Sequence, residues 1–138
     1  METRLIAVAA VLVAGVAGCA SQPPALGSKT AKVTIDGTDT GGLHAVDCSQ
    51  TGWSWIIETP NKAKGFTAVV DTGANLTAQR VDFRDLGGFT GSYWINNIGK
   101  ADVTSTGGKY TITGSADGSF TEKPTKAATV TFRIVADC

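Results

Sequence analysis

Ala127–Asp137 reads A-A-T-V-T-F-R-I-V-A-D. Ala128, Val130, Phe132, Ile134 and Ala136 occupy every second position, and Thr129, Thr131 and Arg133 stand between them. A period of two is that of a strand with one face in a core and one in water. Cys138 continues the apolar register, which points its sulfur inward. Upstream, Lys109–Gly114 and Ala101–Thr106 flank Gly107-Gly108, a hairpin with a primed turn. Gly91–Ile98 and Leu76–Phe83 are irregular strand candidates. Phe66–Asp71 places Phe66, Ala68 and Val70 together, Trp53–Thr59 places Trp53, Trp55 and Ile57 together, and Leu43–Cys48 does the same with His44, Val46 and Cys48. Lys32–Ile35 runs into the Asp36-Gly37 turn signal. No ten-residue window carries a 3.6-residue apolar repeat. The fold class is therefore all-β, an antiparallel β-sandwich or small barrel of about seven to nine short strands.

The composition agrees. The chain has 138 residues, 17 of them glycine, and 42% are hydrophobic, enough for one core. Lys plus Arg and Asp plus Glu are 12 each. That balance excludes a strong electrostatic pull towards nucleic acid or anionic lipid.

The amino-terminal segment differs in kind. Leu5–Ala17 is thirteen residues without a charge. As a helix it would span roughly 20 Å, short of the ~30 Å hydrocarbon core, so it suits the apolar part of a leader. Val16-Ala17-Gly18-Cys19 resembles the bacterial lipobox. The resemblance implies cleavage after a signal peptide of residues 1–18 and an N-acyl diacylglyceryl group on Cys19. Acyl chains contribute about 0.8 kcal/mol per buried CH₂, and two or three of them hold a protein on a membrane. The alternative is an ordinary signal peptide with Cys19 left free. Ala20–Ala31, A-S-Q-P-P-A-L-G-S-K-T-A, is a flexible spacer with an r.m.s. span of about 20 Å. Residues 19–31 form the anchor and tether, and 32–138 the β domain. The expected location is exported, lipid-anchored at the outer face of the cell membrane or elsewhere in the envelope.

With Cys19 acylated, Cys48 and Cys138 remain. An even pair in an exported domain reads as a disulfide, the alternative being two buried thiols. No spacing fits a metal ligand set, His44 is the only histidine, and no cofactor is implied.

Catalytic candidates are weaker than their structural readings. Val69-Val70-Asp71-Thr72-Gly73-Ala74 has the apolar-apolar-Asp-Thr-Gly pattern of aspartic proteases, yet Asp, Thr and Gly are also what a strand ending in a turn requires. His44 beside Val46 and Cys48 reads as a packing residue. No catalytic residue is assigned. Trp53, Trp55, Tyr93 and Trp94 are the candidate ligand-binding residues, since aromatic clusters offer flat apolar area with a polar handle to lipids, glycolipids and glycans. Tyr93 and Trp94 are adjacent, so a strand sends them to opposite faces. Arg80, Asp82, Arg84 and Asp85 read as a solvated mixed-charge face.

The lipobox, K-V-T-I-D-G at Lys32–Gly37, Cys48 and F-R-I-V-A-D-C at Phe132–Cys138 together resemble the mycobacterial LpqH (19 kDa antigen) family. G-F-T-G-S-Y-W at Gly88–Trp94 and Y-T-I-T-G-S-A-D-G at Tyr110–Gly118 are similar to its LppE branch. The resemblance implies a surface-exposed, non-enzymatic envelope lipoprotein, an antigen sensed through its lipid by host Toll-like receptor 2. The competing function is a carrier or binding module for a lipid or glycan in an aromatic-lined cavity.

Overall fold

The computed structural model describes residues 29–138. The leader, Cys19 and most of the tether lie outside the described residues. Ten strands follow one another: β1 Thr30–Ile35, β2 Thr38–Ala45, β3 Asp47–Thr51, β4 Ser54–Glu58, β5 Gly65–Asp71, β6 Thr77–Leu86, β7 Phe89–Trp94, β8 Lys100–Thr106, β9 Lys109–Phe120 and β10 Lys123–Asp137. All pair antiparallel in one sheet of order β2-β1-β10-β9-β7-β6-β5-β4-β3, nearly closed into a barrel, with β8 attached to β9 off this path.

The expected alternation in the last strand holds. Val130, Phe132, Ile134 and Ala136 are buried, and Thr129, Thr131 and Arg133 are exposed. β9 and β10 form the longest pairing, from Ala128 opposite Gly118 to Asp137 opposite Lys109. Phe66, Ala68 and Val70 of β5 also point inward together. Phe83 packs against Phe89 and Phe132, with ring centroids 5.9 and 5.2 Å apart, and Phe89 against Phe120 at 5.5 Å. Ile57, Ile112 and Val33 fill the remaining interior. Burying such side chains contributes about 1.5–3 kcal/mol each. The Gly107-Gly108 hairpin is as expected, with φ of 57° and 81°, which a primed turn needs and which glycine adopts without steric cost.

Three expectations need correction. Leu43–Cys48 is not one strand: β2 stops at Ala45 and β3 begins at Asp47. These two strands form opposite ends of the sheet order, so the chain crosses the barrel seam at Val46. The Val46 side chain is buried there and its N–H donates to Lys29 O at 3.2 Å. Trp53 does not share the inward face of Trp55 and Ile57. It sits in the β3–β4 turn, 71% exposed. The first strand begins at Thr30, ahead of the expected Lys32, and Ala31 is fully buried opposite His44.

The seam is also covalently joined. Cys48 of β3 is disulfide-bonded to Cys138, which follows β10. The bond closes a loop of 90 residues, worth up to about 4.6 kcal/mol in the chain-entropy treatment.

β9 plays a second organising role. One edge pairs with β10, while the other pairs first with β8 (Lys109–Ser115) and then with β7 (Asp117–Phe120). Glycines allow the close approach. A Cβ on Gly114 would lie 1.9 Å from Lys100 O, and one on Gly118 would lie 2.0 Å from Thr90 O.

Candidate functional site

The four aromatic candidates do not converge. Trp55, inward on β4, stacks on Tyr110 with centroids 6.2 Å apart and packs against the core, and its buried Nε1 has no partner among the described residues. Tyr93 is buried, its hydroxyl donating to Ala78 O at 2.9 Å. Burial, and then the charge of Asp102, pushes that hydroxyl above its ordinary pKa. Trp53 is exposed on its turn. Trp94 is 42% exposed on the outer face, on the opposite side of β7 from Tyr93. The interior is filled by phenylalanine and aliphatic side chains together with Tyr93, with Trp55 packed against them.

The outer face around Trp94 carries the most organised polar cluster. Pairing register sets it in two rows across β5, β6 and β7. Thr67, Asp82 and Ser92 form one, and Val69, Arg80 and Trp94 the next. The Arg80 guanidinium lies 5.1 Å from the centroid of the Trp94 ring and pairs with Asp82. Such a cation–π contact contributes about 0.5–1 kcal/mol at an exposed position. The Ser92 hydroxyl donates to Asp82 Oδ1 at 2.7 Å. Arg84 Nη1 donates to Thr67 Oγ1 at 2.8 Å. Thr67, Val69, Arg80, Asp82, Arg84 and Ser92 line an open groove of about 470 Å³, and Trp94 stands at its margin, in the row of Val69 and Arg80. Arg80, Asp82 and Arg84 lie on the solvent-facing side of β6, where the sequence puts a mixed-charge face. The i, i+2, i+4 spacing of Arg80, Asp82 and Arg84 puts all three on the outer face, and register then sets Arg80 opposite Trp94, Asp82 one row along and Arg84 two.

The catalytic alternatives are otherwise engaged. Asp71 Oδ1 accepts from Gly73 N at 2.8 Å, and the Thr72 hydroxyl donates to Trp53 O at 3.0 Å, so the Asp-Thr-Gly segment is a strand ending in a turn. The Thr40 hydroxyl donates to Val33 O at 2.8 Å. Its oxygen therefore accepts at the 3.0 Å contact with His44 Nε2, which fixes that nitrogen as the donor. His44 is half-buried on β2 and borders a surface groove between that edge strand and residues 59–65.

The family profile described as "Mycobacterium 19 kDa lipoprotein antigen" matches residues 24–138. The chain belongs to this family. It is 41% identical over the full length of both chains to a protein named as a lipoprotein in Mycobacterium indicus pranii. It is 34% identical, again over both full lengths, to lipoprotein LppE of Mycobacterium tuberculosis. Lipoprotein LpqH of Mycobacterium bovis is 31% identical, with 99% of this chain and 96% of that one aligned. Membership makes the chain an exported, envelope-associated lipoprotein of an antigen family.

Proposed function

We propose that the protein is a non-enzymatic display lipoprotein. In this reading residues 1–18 are removed, Cys19 carries N-acyl diacylglycerol, and the β domain stands on the outer face of the membrane at the end of a short tether. The observation that carries it is the uncharged Leu5–Ala17 run ending in Ala17-Gly18-Cys19, ahead of a domain of the 19 kDa antigen family. The engagement of Asp71 and His44 in local hydrogen bonds supports a structural role for both. The acylated terminus is the part that host Toll-like receptor 2 senses, and the domain is the part that antibodies and envelope partners meet.

Metabolic labelling with a fatty acid tests the anchor. The expected result is label in the membrane fraction for the wild-type chain, and an unlabelled, released product for Cys19→Ala. Label retained by Cys19→Ala sinks the anchor assignment. Reporter cells bearing the receptor should respond to the wild-type protein and lose that response with Cys19→Ala. An undiminished response would move recognition to the polypeptide.

A further inference from the structure

We propose that the outer groove beside Trp94 is a saccharide-binding site. This inference concerns the domain's outer face and is independent of how the chain is anchored.

The argument starts from what each side chain demands of a ligand. Trp94 is a flat apolar platform left 42% exposed. Arg80 lies over one face of the indole, 5.1 Å from its centroid, which restrains the ring and leaves a ligand the face turned away from Arg80. Outward side chains two residues apart on a strand lie ~7 Å apart, so a ligand stacked on Trp94 reaches the neighbouring row without leaving the sheet. In that row Asp82 accepts from Ser92 and pairs with Arg80. A carboxylate has about four lone-pair sites, so Asp82 keeps capacity for hydroxyl donors. Arg84 lines the same groove, held through Nη1 by Thr67 Oγ1 and through Nη2 by Thr59 Oγ1, Asn61 O and Phe66 O, so its charge is fixed at the groove's far end.

The site thus asks for a molecule with an apolar C–H face and groups that both donate and accept. A sugar ring has both. Other classes fit less well. A phosphate would meet the Asp82 carboxylate at the centre of the groove. An acyl chain would strip water from the Asp82 carboxylate and the Arg80 guanidinium and offer them no hydrogen bond in return. An extended peptide would need a free strand edge, and β5, β6 and β7 are each paired on both sides. The hydrogen bonds that fix Asp82 and Arg84 before binding lower the entropy lost on binding. The groove, about 470 Å³ and open to solvent, suits one or two rings of a longer glycan held weakly.

The test uses the purified full chain in mild detergent, titrated with gluco-, manno-, galacto- and xylo-configured trisaccharides. Amide and indole N–H signals are followed by NMR, the three indoles being assigned with Trp→Phe variants. The expected result is a saturable shift of the Trp94 indole and the Ser92 amide with at least one configuration. Trp94→Phe and Asp82→Asn should each weaken binding about tenfold or more while the rest of the spectrum is unchanged. Trp53→Phe, which removes the other exposed indole, should leave it intact. The proposal is overturned if no trisaccharide moves Trp94. It is equally overturned if binding survives both Trp94→Phe and Asp82→Asn, or if Trp53 is the ring that responds.

Discussion

The β9–β10 hairpin and the β2–Val46–β3 segment are both antiparallel strand pairs' worth of chain, yet they are ordered by different forces. In the hairpin every second residue of β10 from Val130 to Ala136 is buried, and the partner strand presses on it along its length. β2 and β3 are mostly exposed along their length, with Leu43 at 58%. They are the two edges of the sheet and owe their positions to pairing on one side, to buried Val46 between them and to the Cys48–Cys138 bond. The hairpin is thus held by dehydrated apolar area. The seam is held by connectivity.

The sharpest way to break this comparison is a matched pair of truncations. Ile134→Ala on β10 should cost about 2–5 kcal/mol, because it empties a fully buried site. Leu43→Ala on β2 should stay within about 0.5 kcal/mol. Urea denaturation measures both, and similar costs would mean that the edge strand is packed as tightly as the hairpin.

Replacing both cysteines, Cys48→Ala with Cys138→Ala, comes next. The expected loss is about 2–4 kcal/mol of global stability. Hydrogen exchange should also show β3 and β4 amides opening locally, ahead of those in β9 and β10. Uniform acceleration across all four strands would put the bond within the core's own cooperative unit.

Glycine substitutions sharpen the same contrast at a smaller scale. Gly118→Ala drives a methyl against Thr90 O in the crowded β7–β9 pairing and should destabilise by about 1–3 kcal/mol. Gly42→Ala in β2 meets no atom within 4 Å and bears only its positive φ of 79°, so it should cost about 1 kcal/mol. Thermal unfolding of the two variants side by side reads the difference.

The smallest effect is pH-dependent. Backbone N–H donors of Gly42 and then Gly41 hold the Asp39 carboxyl below its ordinary 3.8. The folded chain therefore binds this proton less readily than the unfolded chain. The stabilisation is present above the unfolded-state value and is lost as pH falls through the lower folded one. NMR titration of the Gly41 and Gly42 amides should give a midpoint under 3.8, and one at or above it would remove these hydrogen bonds from solution.

How much was legible in the chain follows from the same contrast. Alternation reports burial, so Val130–Ala136 and Phe66–Val70 could be read directly, and with them the all-β class. Gly107-Gly108 announced its turn because few residues tolerate its dihedrals. Edge strands bury little, so nothing in Thr38–Gly42 distinguished a strand from a loop, and the break at Val46 left no mark in an apolar-looking run. The second half of β9 was hidden by Gly114, Ser115 and Gly118, which read as turn residues but serve close strand approach. Of the candidate aromatics, the opposite fates of Tyr93 and Trp94 followed from adjacency alone. The cluster beside Trp94 did not, because only register across three strands brings Thr67, Asp82 and Ser92 into line.

The described chain enters the domain at β1, and β1 is an interior strand, flanked by β2 on one side and β10 on the other. Any pull on the chain ahead of Thr30 is therefore delivered along a strand bonded on both sides. Tension applied in that direction loads many hydrogen bonds in shear at once instead of peeling them singly. With its far edge locked through Cys48 and Cys138, the domain is arranged to withstand tension applied ahead of Thr30.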